Sequence, residues 1–67
     1  MKFYVIATRV SLDGYPESYN VGYDNTATTD CDNYMFFDSR KQAENWTQSN
    51  EAKEWKDCTF DIVENTE

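Results

Sequence analysis

Carboxylates are the most abundant chemistry-bearing side chains in this 67-residue sequence: thirteen Asp and Glu stand against six Lys and Arg, with no histidine. Paired carboxylates can hydrolyse glycosides, provided a pocket drives their two pKa values apart. The default general base near neutral pH, histidine, is missing. Serines, threonines and two cysteines are present, but no neighbouring base marks one as an activated nucleophile. Two isolated glycines cannot form a phosphate-cradling loop. A chain this short spends most of its eleven aromatics on a core, which leaves little for a deep pocket. The expectation is no catalytic residue, no cofactor and no enzymatic activity.

Asp30-Cys31-Asp32, with Asp24 and Asp38 nearby, groups oxygen ligands of the kind that hold Ca²⁺. An EF-hand loop requires glycine at its sixth position; counting from Asp30 that position is Met35. An irregular cluster is all that remains of a cation site, and no metal ligand is assigned. Cys31 and Cys58 fall short of the four Cys or His ligands of a structural zinc. A bridge between them stays open, although the absence of a secretion pattern at the start argues against it. Asn45-Trp46-Thr47 matches a glycosylation acceptor, a chance match on a predicted helix.

Charge is unevenly spread. The net charge is −7, and residues 11–38 carry Asp13, Glu17, Asp24, Asp30, Asp32 and Asp38 with no base among them. Such a balance repels nucleic acid, whose affinity for proteins comes from Lys and Arg neutralising phosphates. It steers basic partners instead. Tyr15, Tyr19, Tyr23 and Tyr34 are interleaved with these acids, and tyrosine offers large contact area with few rotatable bonds. Tyr19 and Tyr23, on one face of a strand at period two, are expected to pack on a sheet. The predicted partner-binding set is Asp13, Tyr15, Glu17, Asp24, Asp30, Asp32, Tyr34 and Asp38. It implies a basic protein surface as partner, with no direct nucleic acid and no membrane.

These residues need elements to position them. Lys2 to Val10 reads as a central strand, β-branched and aromatic with apolar groups on both faces. Leu12-Asp13-Gly14 supplies a turn, and alternation resumes from Glu17 to Tyr23, giving a hairpin over about 2–23. Residues 24–33 are short and polar, a long loop. Tyr34 to Phe37 reads as a third strand. Ser39-x-x-Gln42 is a capping box that starts a helix, with Ala43 and Trp46 on its buried face. Trp55 lies nine residues after Trp46, nearly opposite on one continuous helix, so a break near Ser49-Asn50 is predicted, with Asn50 as the second cap. Thr59 to Glu64 closes the sheet, with Cys58, Phe60 and Ile62 facing one way. The architecture is a single α+β domain over residues 1–67, with an antiparallel sheet of three to four strands and a helix on one face.

Three segments carry a resemblance: Phe3-Tyr4-Val5-Ile6, Phe36-Phe37-Asp38-Ser39-Arg40-Lys41-Gln42-Ala43-Glu44-Asn45-Trp46, and Phe60-Asp61-Ile62-Val63-Glu64. This outline resembles small accessory proteins of bacteriophages and prophages. The polar loop 24–33 departs from it, and no site residue carries across. The resemblance implies a viral accessory protein, an anti-defence inhibitor that presents carboxylates in place of nucleic-acid phosphates. The leading expectation is a non-enzymatic binding protein that blocks a basic surface on a host nucleic-acid-handling or defence protein, in the cytoplasm. The alternative is a structural or assembly protein that homodimerises through a sheet edge or aromatic face, since a second copy adds burial to a small core.

Overall fold

The computed structural model describes residues 2–65, without the Cys31 side chain, so the bridging of Cys31 to Cys58 lies outside the described residues. Lys2–Val10 forms β1, Pro16–Val21 β2, Ala27–Thr28 β3 and Thr59–Asn65 β4, in one four-stranded sheet of order β3-β2-β1-β4. Every pairing is antiparallel. β1 is central, as its two-faced apolar pattern requires: Ile6 lies between Asn20 and Asp61, and Ala7 between Tyr19 and Phe60. The Ser11–Tyr15 turn returns the chain into β2, with Gly14 in the left-handed region at φ 86°, where glycine carries no steric penalty. Pro16 opens β2 beside solvent, because β3 pairs only Asn20 and Val21.

The two helices are α1, Arg40–Thr47, and α2, Asn50–Lys53. Ser39 Oγ accepts from the Gln42 backbone N–H at 3.2 Å, and Gln42 Oε1 accepts from the Asp38 N–H at 2.9 Å. The capping box is therefore present with its return bond one residue earlier than the simple pattern. The predicted break is also present, but Ser49, not Asn50, is the second cap and accepts from the Ala52 N–H at 3.3 Å. Trp46 and Trp55 consequently both pack on the same core. Among the described residues, no helix is long and apolar enough to cross a membrane.

That core is thin. Val5, Ala7, Val21, Ala43 and Ala52 are its buried side chains, and small alanines on the helices let them approach the sheet closely. Phe3, Met35, Phe37, Trp46, Trp55, Cys58, Phe60 and Ile62 pack around it while half-exposed. Two segments differ from the sequence reading. The loop 24–33 contains β3 and a 3-10 turn over Cys31–Asn33. Residues 34–37 do not form a strand; they make single bridges, Tyr34 to Gly22 and Phe37 to Phe3. The Phe3 and Phe37 backbones exchange two hydrogen bonds of 2.9 and 2.7 Å. This segment crosses from the end of β2 to the start of β1, so no strand neighbour runs along it.

Because the Ser39 hydroxyl holds an otherwise orphaned helical N–H, Ser39→Ala should lower unfolding stability by about 1 kcal/mol. Asn50→Ala, at a position that caps nothing, should cost clearly less. Paired urea titrations measure the difference.

Candidate functional site

Alternation through residues 34–37 sends side chains to both faces of the sheet. Met35 and Phe37 join the helix-covered core, where Trp46 meets Phe37 at a tilt and Phe60 edge to face, at ring separations of 6.5 and 5.4 Å. Tyr34 and Phe36 go to the opposite face and meet Tyr4 of β1, at 5.3 and 6.1 Å. Among the described residues, no helix covers that face. It presents Tyr4, Ile6 and Val63 along β1 and β4, with Tyr34 and Phe36 laid across one end, all half-buried. Tyr34 is fixed there by its hydroxyl, which accepts from Asn20 Nδ2 at 2.8 Å. A tyrosine held by packing and by one hydrogen bond has little rotamer freedom to lose on contact with a partner.

The acids predicted to surround it do not form one patch. Asp24 sits beside the open face: a Cβ on Gly22 would lie 3.1 Å from Asp24 Oδ1 and 2.7 Å from Asn33 Nδ2, so only glycine fits this close approach. Thr26 Oγ1 donates to Asp24 at 2.6 Å, which, helped by Asn33, holds its carboxyl below the usual aspartate range. Asp30 caps the 3-10 turn, accepting from the Asp32 N–H at 3.0 Å, and Asp32 is exposed. Asp38 is exposed and paired with Lys2; the hydrogen bond and charge of Lys2 lower its pKa. These four acids share the Tyr34 end of the sheet.

The other predicted residues are elsewhere. Asp13 and Tyr15 lie in the β1–β2 turn, at the far end of β2, where Tyr15 is 72% exposed beside the exposed Val10 and Leu12. Glu17 is on the helix side of β2, 3.5 Å from Arg9 Nε, and accepts from the Tyr19 hydroxyl at 3.0 Å. Tyr19 packs on the sheet as expected, whereas Tyr23, past the end of β2, is 62% exposed. Tyr4, Phe36 and Val63 were missed as surface candidates. Their apolar character suggested only core, and nothing in the sequence says that one sheet face stays bare. Among the described residues, no group of three or more His, Cys, Asp or Glu is placed to hold a metal ion.

The helix side has a different opening. Two adjoining hollows of about 450 and 320 Å³ share Arg9, Ala27, Trp55 and Cys58 as lining, where the sequence predicts no deep pocket. Asn25, in the left-handed region at φ 60°, stands in one wall. Its Oδ1 accepts from Trp55 Nε1 at 2.9 Å, and its Nδ2 donates to Glu54 Oε2 at 2.7 Å.

Compared with known proteins, the chain matches no family model, no curated protein and no solved structure.

The lowered pKa values of Asp24 and Asp38 set a sign for acid stability. Both carboxyls hold their protons less tightly in the folded protein than in the unfolded chain. Their contribution is complete above the usual aspartate range and is lost as pH falls through the lowered values. The wild-type urea midpoint should therefore drop between neutral pH and about pH 2.5, and the drop should shrink in Asp24→Asn. Gly22→Ala should independently cost about 1–3 kcal/mol from the crowding against Asn33, read in the same titration.

Proposed function

We propose that this domain is a non-enzymatic binding protein that docks a basic protein surface on its uncovered sheet face. The observation that supports this reading is the aromatic group Tyr4–Tyr34–Phe36 on a face that no helix covers among the described residues, at the end of the loop that carries Asp24, Asp30 and Asp32. A rigid apolar centre with a charged rim is the usual anatomy of a protein interface. The acids bring the partner in and choose its sign; the rings hold it. Asp38 adds less, because Lys2 already answers its charge. Glu17, Asp13 and Tyr15 have no part in this surface. The partner class is a basic nucleic-acid-handling or defence protein of a host cell, blocked where it would otherwise meet phosphates.

The β4 edge raises a second reading, assembly with another copy, since among the described residues its outer side has no strand neighbour. Antiparallel pairing about a two-fold axis at Asp61 would set that carboxylate against its own copy across the interface. Like charges opposed in this way disfavour edge-to-edge pairing.

A bacterial lysate passed over the immobilised domain supplies the partner, and stopped-flow mixing then measures its association. The on-rate should fall steeply from low to high salt, and that dependence should flatten in the Asp24→Asn, Asp32→Asn double variant. Tyr34→Ala should raise the dissociation rate about tenfold or more, as loss of an interface anchor does. A salt-independent on-rate together with an unchanged dissociation rate for Tyr34→Ala overturns the reading. A concentration-dependent dimer in sedimentation, abolished by Tyr34→Ala and without a heterologous partner, replaces it with the assembly role.

A further inference from the structure

The helix layer stops short of the Arg9 end of the sheet. Arg9 on β1, Tyr19 on β2, Ala27 on β3 and Cys58 before β4 all face the helix side there, and Trp55 closes the groove after α2. We propose that this groove is a ligand site for a small planar aromatic carboxylate, with Tyr19 and Trp55 as flat walls and Arg9 as the anion clamp. It is on the opposite side of the sheet from the Tyr4–Tyr34–Phe36 surface and is independent of the docking reading.

Size, shape and charge each support it. The hollow that Tyr19 and Trp55 both line, at about 320 Å³, and the adjoining one that Lys56 lines, at about 450 Å³, both fall in the usual range for small-molecule sites. Trp55 cannot swing freely, because Asn25 accepts its indole N–H at 2.9 Å. Asn25 is itself tied at 3.1 Å to the Glu51 carbonyl. One wall is thus built before any ligand arrives, which reduces the ordering cost of binding. The Arg9 guanidinium carbon lies over the Tyr19 ring, 5.8 Å from its centre, within reach of a cation–π contact.

The charged donors of the groove, not a net positive charge, make the case for an anion. The chain has six cations in all, and two of them, Arg9 and Lys56, line this groove. Two acids stand beside them and keep their charge: Glu17 accepts from the neutral Tyr19 hydroxyl and Glu54 from the neutral Asn25 amide, so an entering anion must take Arg9 from Glu17. The Arg9–Glu17 contact, 3.5 Å at Nε with both side chains substantially exposed, is longer than a hydrogen bond and weak in water. A carboxylate can take the guanidinium in bidentate geometry without breaking a strong bond. The rest of the lining reads no polar pattern: the Asn25 amide is used on both sides, and Thr26 donates to Asp24. One anion on a flat apolar body is what the groove can recognise.

Indole-3-acetate and its uncharged counterpart indole-3-acetamide are suitable probes, titrated into the ¹⁵N-labelled protein. The acetate should shift the Trp55 indole N–H resonance and bind about tenfold more tightly than the amide. Arg9→Gln should remove that preference, and Lys56→Gln should reduce it. Arg40→Gln, whose cation lies over Phe3 at 5.5 Å and outside the groove, should leave it unchanged. Equal binding of the two probes by the wild type, or a preference that survives both the Arg9 and Lys56 substitutions, overturns the assignment. Shifts confined to Tyr4, Tyr34 and Phe36 overturn it as well.

Discussion

Pairing on both sides of β1 holds this fold together, and the shortness of the helical layer above it determines what the fold can do. β1 has nine residues, about 30 Å of extended chain. α1 and α2 have eight and four residues, about 12 and 6 Å of helix. Helices of that length shield Val5 and Ala7 but leave Arg9 at the edge of their cover. They also occupy one face only. An open groove and a bare face are consequences of the same shortage, not separate features.

The thin interior explains why residues 34–37 matter. Fully buried positions are filled by valine and alanine, so most apolar area comes from half-exposed aromatics. The bridge between Phe3 and Phe37 fixes the alternation of this segment, and so decides that Phe37 enters the core while Tyr34 and Phe36 cross to the other side. A shift by one residue would exchange the two sets. It would place the Tyr34 hydroxyl under the helices without Asn20, and leave Met35 and Phe37 in water. The same backbone contact therefore completes the core and creates the outer aromatic surface.

Local physics made much of this legible in the sequence. Ser39 begins α1 because a hydroxyl there meets an orphan N–H. The nine-residue interval between Trp46 and Trp55 demanded a break, and the structure has one. Cys58, Phe60 and Ile62 share the core side because a strand alternates. What escaped depends on distant partners. β3 is two residues long and exists only through Asn20 and Val21, so its Ala-Thr sequence carries no signal of its own. The 34–37 segment has strand composition, but pairing is available only at its two ends. The groove was unreadable for a similar reason: Arg9, Tyr19, Trp55 and Cys58 are assembled by register, and no spacing announces them.

The acidic run shows how closeness in sequence misleads about closeness in space. Asp13 and Asp24 flank β2, whose six residues separate its ends by about 20 Å. That exceeds the distance over which exposed charges act in physiological salt, about 8 Å. Asp13 therefore cannot reinforce the acids at the Tyr34 end, whatever the net charge of the stretch. Pairing reduces the patch further. Lys2 returns to Asp38 because β1 begins where the 34–37 segment ends, and Arg9 meets Glu17 because the hairpin register aligns them. The remaining field comes from Asp24, Asp30 and Asp32, grouped by a loop that Gly22, Asn33 and the 3-10 turn hold compact. A smaller charge set beside ordered rings is better suited to orienting a partner than a diffuse negative surface would be, because steering acts before contact and the rings act after it.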